Sequence, residues 1–172
     1  MDRDAFAKGM TYEQYTAAMQ ANRVEAEAIY RDAGAPADLR DFLQAYANRH
    51  GGVVHVAVFS DDRCPDCLEN VPVLARLASE VPGFELRVFR RGEHQEALAA
   101  LFPEGKARVP AFAFYDSDWR HLMTWIERPE GATRFLEDGL KDLRRRLHEE
   151  YQNRFRAEML NEVRSGLMAA EQ

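Results

Sequence analysis

The stretch Cys64-Pro65-Asp66-Cys67 contains the only two cysteines of the chain, separated by two residues. It follows an apolar run at residues 53–59 (Val-Val-His-Val-Ala-Val-Phe) and a short polar turn at residues 60–63. A helical pattern starts directly afterwards, because apolar residues recur at three- and four-residue spacing between residues 68 and 78. The sequence therefore predicts a strand, a turn and a helix, with the cysteine pair at the start of the helix.

The position of the cysteine pair favours a reactive thiol. Pro65 suits the first position of a helix, where its missing N–H would have no partner, so Cys64 is predicted to be the N-cap. Cys67 then lies in the first turn, with its sulfur facing back towards Cys64. Unpaired N–H groups and the helix dipole favour negative charge at this end, and the thiolate is the species that attacks disulfides. A second thiol three positions further on can close a disulfide, so the pair indicates a redox motif.

Length and composition indicate the broad class of protein. The chain has 172 residues, 46% hydrophobic and 30% charged, which predicts one globular domain with a sizeable core. The formal charge of −6 argues against nucleic acid as the main partner, since phosphate binding needs a basic surface. The start of the chain leads into no apolar segment of the kind found in signal peptides, and no run is long enough to cross a bilayer. We therefore expect a cytoplasmic protein without a membrane partner, in which a lone cysteine pair is reactive rather than structural.

The first fifty residues predict a helical layer. Thr11 and Gln14 have the spacing of a capping box at the start of a helix. Asn22 and Glu25 repeat that spacing, but there the chain could simply continue as one helix to about Tyr30. Gly34-Ala35-Pro36 breaks that helix, and a second amphipathic helix follows and ends at Gly51-Gly52.

The rest of the chain predicts alternating strands and helices. The run at 53–59 is apolar at nearly every position, which is typical of a central strand covered on both faces. The helix after the cysteines is expected to reach about residue 80 with Pro72 inside it, where the proline should kink it. The later elements are a parallel strand at 84–89, a short helix at 93–101, hairpin strands at 111–115 and 121–126, and a long helix from residue 130. The apolar face of that last helix is predicted at positions 136, 140, 143, 147, 151, 155, 159, 163 and 167.

This order of elements resembles the thioredoxin fold, an α/β fold with a central mixed sheet flanked by helices. The resemblance covers residues 51–147, with helical extensions at residues 1–50 and 148–172 of one thioredoxin-like domain. Pro72, inside the helix, coincides with the kink proline of thioredoxin, and Arg108-Val109-Pro110 resembles the segment that carries its cis-proline. The stretches 61–68 and 125–129 further resemble a bacterial thioredoxin-like family with extra N-terminal helices.

The resemblance implies a role for each residue around the motif. Cys64 would be the attacking nucleophile and Cys67 the resolving thiol of a thiol–disulfide oxidoreductase. Arg63, Pro65 and Asp66 would support the active site, because Arg63 favours the thiolate whereas Asp66 opposes it.

The resemblance also implies a substrate site and partners. Pro110 would follow a cis peptide bond, which costs about 0.5–1 kcal/mol relative to trans. The Val109 backbone would then bind a peptide as a short added strand. The partners would be protein disulfides and an unidentified reductase, and the chain would act as a monomer or homodimer. No metal, flavin or nucleotide is implied, since the sequence has no phosphate-binding glycine loop.

Two positions depart from the thioredoxin pattern. Arg63 replaces the tryptophan before the first cysteine, and Val58 replaces the buried aspartate that accepts the proton of the resolving thiol. The proton acceptor is therefore open, and the candidates are Asp66, Asp61, Asp62 or water.

The sequence predicts a reducing couple. Arg63 and the helix terminus favour the Cys64 thiolate and Asp66 opposes it, which gives an expected pKa of about 7 for Cys64. The expected reduction potential is nearer thioredoxin's roughly −270 mV than the roughly −120 mV of a strong oxidase.

Other interpretations of these features are possible. The protein could be an adaptor on a thioredoxin scaffold, with little redox turnover and with its helical extensions carrying the binding. Two chains could instead pair their cysteines around zinc or an iron–sulfur cluster. Arg128 could approach the active-site end of the sheet, although a solvated arginine is favoured. The basic run at residues 141–146 is interpreted as a solvated helix face rather than a nucleic-acid patch.

Overall fold

A mixed four-stranded sheet lies at the centre of the structure, a computed structural model that describes residues 1–137 and 143–171. The helices are α1 (Arg3–Phe6), α2 (Tyr12–Ala17), α3 (Arg23–Asp32), α4 (Ala37–Arg49), α5 (Pro65–Glu80), α6 (Gln95–Ala99), α7 (Glu130–Glu137), α8 (Leu143–Glu150) and α9 (Arg156–Ala169). The strands are β1 (Val54–Ser60), β2 (Phe84–Arg90), β3 (Ala111–Tyr115) and β4 (His121–Ile126). A π-helical turn, Tyr151–Phe155, joins α8 to α9.

The strand order is β2-β1-β3-β4. β1 runs parallel to β2 and antiparallel to β3, and β3 and β4 form an antiparallel hairpin. Every residue of β1 is buried, as its continuous apolar pattern predicts for a strand covered on both faces. The predicted α/β class, the parallel β2 and the hairpin are therefore confirmed.

The chain does not continue as one helix to Tyr30, and a second helix starts where Asn22 and Glu25 repeat the capping-box spacing. α2 ends at Ala17 and α3 begins at Arg23, and Asn22, the N-cap of α3, adopts a left-handed conformation with φ of 57° and makes no side-chain cap bond. Asparagine tolerates that conformation better than most residues. The Asn22 side chain also donates to the Asp62 carbonyl at 2.8 Å, so this break fastens the N-terminal helices to the turn before the cysteines. The predicted capping box of Thr11 and Gln14 is present at the start of α2.

The chain between α1 and α2 pairs with the outer edge of the sheet. The Met10 N–H donates to the Val88 carbonyl at 2.9 Å, and the Val88 N–H donates back to Met10 at 2.8 Å. Gly9 makes this approach possible, since a Cβ there would lie 2.7 Å from Arg87 Cβ and from the Phe89 ring. The sequence pattern did not predict this bridge.

Both ends of the chain contribute to the same hydrophobic core. One cluster of buried side chains extends from Phe6 in α1 to Leu167 in α9 and includes the apolar residues of β1. Met159 and Val163 of α9 are fully buried, and this helix packs against α5 and β4. The C-terminal segment thus packs onto the hydrophobic core of the same chain.

The predicted single long helix from residue 130 is wrong, because the Gly131 N–H of α7 donates to the Glu158 carboxylate of α9 at 2.7 Å, a contact that one straight helix could not make. The described part of this region consists of α7, α8, the π-helical turn and α9. The structure does not describe the side chains of residues 136–145. The predicted apolar positions 136, 140 and 143 and most of the basic run at 141–146 therefore lie outside the described side chains. None of the described helices is long and apolar enough to cross a membrane.

Candidate active site

Cys64 is the N-cap of α5, as predicted, and Pro65 occupies the first helical turn. The Cys64 sulfur accepts a hydrogen bond from the Cys67 N–H at 3.4 Å. Cys64 thus uses its sulfur as Ser or Asp would use an oxygen, to satisfy a helix N–H that has no intrahelical partner. Both cysteines are free thiols.

The two thiols lie in different environments. Cys64 is partly exposed, whereas Cys67 is only 3% exposed. A hydrogen bond from the Cys67 thiol lowers the pKa of Cys64, against the effect of burial. Burial raises the pKa of Cys67 well above its usual range, and its hydrogen bond to Cys64 raises it further. The geometry therefore supplies one thiol that ionises more easily than a free cysteine and, beside it, one that ionises less easily.

The segment before β3 lies against the Cys64 sulfur. The Val109–Pro110 peptide bond is cis, as the resemblance implies. The Cys64 thiol donates to the Val109 carbonyl at 3.6 Å, and both Val109 and Pro110 are buried. The Pro110 carbonyl accepts from the Glu127 N–H at 2.7 Å, which fastens this segment to the residue after β4.

Arg128 lies at the site, so the favoured expectation of a solvated arginine is wrong. Its guanidinium donates to Asp66 Oδ2 at 2.7 Å, and the two side chains are 21% and 11% exposed. The Tyr151 hydroxyl approaches the other Asp66 oxygen at 3.4 Å. Burial raises the pKa of Asp66, although the Arg128 charge and hydrogen bond lower it. The negative charge that opposes the Cys64 thiolate is thus partly balanced by Arg128.

Glu127 extends the Asp66–Arg128 pair into a row of alternating charges. Its carboxylate accepts from Arg128 at 2.6 Å and from Arg108 at 2.8 Å. The row Arg108–Glu127–Arg128–Asp66 therefore joins the start of the cis-proline segment, the end of β4 and the first turn of α5. Glu127 has a φ of 66°, a left-handed conformation that costs a non-glycine residue about 1–3 kcal/mol.

The remaining acidic candidates near the cysteines have other contacts. The Asp61 N–H donates to the Cys67 sulfur at 3.5 Å, while its carboxylate accepts from the Arg63 N–H at 3.0 Å. The Asp62 carboxylate accepts from the Gln20 N–H at 2.7 Å. Arg63 itself is exposed. Backbone groups thus hold both carboxylates, and it is the Asp61 backbone that contacts the buried thiol.

Two hydroxyl residues lie behind Cys67 that the sequence pattern did not indicate. The sequence predicts Ser60 in the turn, but it is the last residue of β1 and is fully buried. Its hydroxyl lies 2.9 Å from the hydroxyl of Tyr15, a residue of α2 that is 3% exposed. We call Tyr15 and Ser60 the hydroxyl pair. Ser60 shares a strand face with the fully buried Val58, the position that departs from the thioredoxin pattern.

The described side chains offer no alternative metal centre. Across residues 1–137 and 143–171, no group of at least three His, Cys, Asp or Glu side chains is placed to hold a metal ion.

The family of the chain follows from comparison with known proteins. A family model described as thioredoxin matches residues 9–144, which include the cysteine pair, the cis-proline segment and all four strands. The chain belongs to the thioredoxin family. No curated protein matches it.

Two solved structures share the fold along nearly the whole chain. A protein of unknown function from Pseudomonas aeruginosa is 19% identical, with a TM-score of 0.75 and coverage of 99% of each chain. An HIV epitope scaffold is 17% identical, with a TM-score of 0.72 and coverage of 96% of each chain. At these identities the likeness concerns the fold, including the helices outside residues 51–147.

Proposed function

We propose that this protein is a thiol–disulfide oxidoreductase that uses the Cys64/Cys67 pair to reduce disulfides in partner proteins. The observation that carries the proposal is the position of the Cys64 sulfur. It is partly exposed at the N-cap of α5 and lies 3.6 Å from the carbonyl of Val109 in the cis-proline segment. A nucleophile there can attack a disulfide whose backbone lies along Val109.

The proposed reaction has two exchanges. The Cys64 thiolate attacks one sulfur of a partner's disulfide, a mixed disulfide forms, and the other sulfur of the partner leaves as a thiolate. Cys67 then loses its proton and attacks Cys64, which closes the Cys64–Cys67 disulfide and releases the second sulfur of the partner. An external reductase or thiol must return the pair to the dithiol. Arg63, Pro65 and Asp66 set the charge and geometry at Cys64, and Val109 and Pro110 form the docking segment.

The predicted reducing character stays part of the proposal. The hydrogen bond from Cys67 lowers the pKa of Cys64, and the Asp66 charge works against that lowering, so the thiolate is favoured less than a strong oxidase requires. We expect a potential nearer roughly −270 mV than roughly −120 mV after equilibration with glutathione buffers. A cytoplasmic location fits a reducing couple and is proposed with it.

Reduction of insulin disulfides with dithiothreitol as the recycling reductant tests the activity. The unsubstituted protein should accelerate insulin precipitation, and Cys64→Ser should reduce the rate to that of dithiothreitol alone. Cys67→Ser should accumulate a covalent mixed disulfide that a thiol reductant releases.

The matched control for trapping is the Cys64→Ser, Cys67→Ser double variant, which should capture no partner covalently. Rates equal to background for the unsubstituted protein, with the same partners recovered by the double variant, would contradict the oxidoreductase and favour the adaptor.

A further inference from the structure

The buried resolving thiol needs stabilisation when it becomes an anion. In the proposed reaction Cys67 must lose its proton to attack Cys64, yet burial raises the pKa of Cys67. The Asp66 carboxylate faces Arg128 and Tyr151, and the carboxylates of Asp61 and Asp62 accept from backbone N–H groups elsewhere. The Asp61 N–H donates to the Cys67 sulfur at 3.5 Å, and Tyr15, Asp61 and Cys67 line one small cavity. Ser60 is the residue before Asp61, its hydroxyl lies 2.9 Å from that of Tyr15, and its hydrogen bonding acts to lower the pKa of Cys67 against the effect of burial.

We propose that the hydroxyl pair, Ser60 and Tyr15, stabilises the Cys67 thiolate during resolution, with Ser60 as a catalytic residue and Tyr15 as the residue that positions its proton. This inference rests on the proposed function, since it concerns the second exchange of that reaction. It assigns a catalytic contribution to α2, a helix that precedes β1 and the cysteines in the chain.

The hydroxyl pair can serve both protonation states of Cys67. Either hydroxyl can be the donor in the 2.9 Å contact between Tyr15 and Ser60. In the mixed disulfide, Cys64 is bonded to the partner and no longer takes the Cys67 S–H as a thiolate, so Ser60 can accept from that S–H and donate to Tyr15. Once Cys67 is an anion, Tyr15 can donate to Ser60, and Ser60 is then free to donate to the sulfur. Hydrogen bonds to a charged acceptor are stronger than those between neutral groups, so the second arrangement favours the anion.

Burial favours this role of the hydroxyl pair, because it excludes water from the hydrogen bonds and keeps the Tyr15 hydroxyl protonated. Ser60 is fully buried and Tyr15 is 3% exposed, so water competes little for their hydrogen bonds. Burial also raises the pKa of Tyr15, so its hydroxyl keeps its proton and remains able to donate.

The proton balance of the step is simple. The first exchange releases one partner sulfur as a thiolate, and the Cys67 proton ends on that thiolate. The Cys67 sulfur then forms a bond to Cys64 as the bond between Cys64 and the partner breaks. The hydroxyl pair gains and loses no net proton, because it only reverses the direction of its hydrogen bonds.

Reaction with DTNB, 5,5′-dithiobis(2-nitrobenzoate), separates the two exchanges. Attack by Cys64 releases one coloured thiolate, and resolution by Cys67 releases a second. Stopped-flow mixing at a DTNB concentration where the first phase outruns the second gives both rate constants. Cys67→Ser should lose the second phase, which identifies it.

Loss of the hydroxyl pair should slow the second phase alone. We expect Ser60→Ala to slow it about tenfold, and Tyr15→Phe about fivefold, while the first phase stays within about twofold. The double variant should be about as slow as Ser60→Ala, because Tyr15 acts through Ser60. The pH at which the second phase reaches half its limiting rate should rise in Ser60→Ala.

Tyr12→Phe is the matched control, since Tyr12 is a buried tyrosine of the same helix whose hydroxyl contacts the Ala26 carbonyl at 3.4 Å. It should leave both phases unchanged. An unchanged second phase in both Ser60→Ala and Tyr15→Phe would overturn the role of the hydroxyl pair and leave the oxidoreductase intact, as would equal slowing by Tyr12→Phe. Absence of a second phase in the unsubstituted protein would overturn the oxidoreductase itself.

Discussion

Asp66 acts directly on Cys64, and Arg128 pairs with Asp66. Asp66 raises the pKa of Cys64, and the Arg128 guanidinium balances Asp66 at 2.7 Å. The sequence placed Asp66 between the cysteines, but Arg128 is distant in sequence and reaches the site only because β4 ends beside the cis-proline segment.

Substitutions of Asp66 and of Arg128 should therefore move the pKa of Cys64 in opposite directions. Asp66→Asn removes the opposing charge and should lower it, whereas Arg128→Gln leaves the Asp66 charge unbalanced and should raise it. The pH dependence of iodoacetamide alkylation measures this directly, since the buried Cys67 reacts slowly. Glu85→Gln, at an exposed carboxylate on β2, should leave the profile unchanged. Shifts of the same sign in both variants would contradict the balance.

Arg128→Gln should also destabilise the fold. It leaves the Asp66 carboxylate, 11% exposed, without its charged partner, which costs about 1–3 kcal/mol in the free energy of unfolding. Urea denaturation measures the loss, and Arg134→Gln, whose side chain is 67% exposed, is the control with little expected effect. Equal stability of the two variants would show that the Asp66–Arg128 pair contributes nothing measurable.

At the scale of elements, the hairpin between β3 and β4 depends on one carboxylate. Asp116 accepts from the N–H groups of Asp118 and Arg120 at 2.9 Å each, and from the Arg120 guanidinium at 2.8 Å. Burial alone would raise the pKa of Asp116, but these hydrogen bonds lower it. The ionised carboxylate thus closes the turn that positions β4 and, beyond it, Glu127 and Arg128.

Asp116→Asn should destabilise the protein by about 1 kcal/mol at neutral pH. Because the folded-state pKa of Asp116 is lowered, its contribution is present above the unfolded pKa of about 3.9 and is lost as the pH falls through the folded value. Urea denaturation from neutral pH down to about pH 3 should therefore show the two proteins converging in acid. Asp118→Asn, at a side chain 77% exposed, should track the unsubstituted protein throughout. A difference that persists in acid would contradict the role of the charge.

The elements with strong local patterns were predictable, and those set by distant contacts were not. The four strands and the cysteine junction follow from apolar periodicity and from Pro65. The spacing of Asn22 and Glu25 leaves a second helix start open, but no local pattern shows the bond from Asn22 to the Asp62 carbonyl. The contact between Gly131 and Glu158 joins residues far apart in sequence, so helical periodicity did not predict it. At the site, the cysteines are predicted by their spacing, and Pro110 by the resemblance of Arg108-Val109-Pro110 to the cis-proline segment of thioredoxin. Tyr15 was not, since no local signal links α2 to the end of β1.

For the molecule as a whole, the helices outside residues 51–147 belong to the core rather than to its periphery. Met159, Val163 and Leu167 of α9 are fully buried and belong to the same cluster as the strands. We therefore expect residues 51–147 alone to fail to fold.

Met159→Ala should cost about 2–5 kcal/mol in the free energy of unfolding, because it leaves a cavity in that core. Met168→Ala offers the matched control in the same helix, since Met168 is 47% exposed, and should change stability by less than about 0.5 kcal/mol. Thermal or urea unfolding compares the two. Similar losses in the free energy of unfolding for both variants would show that α9 does not pack tightly against the rest of the chain.

The bridge from Met10 to Val88 bears on self-association. β2 is an outer strand, and such strands offer unpaired backbone groups on which further chains can polymerise. Met10 occupies the donor and acceptor of Val88, near the middle of that strand, so a foreign strand cannot run along it unbroken. The segment that contains Gly9 and Met10 thus protects this edge of the sheet against fibrous aggregation.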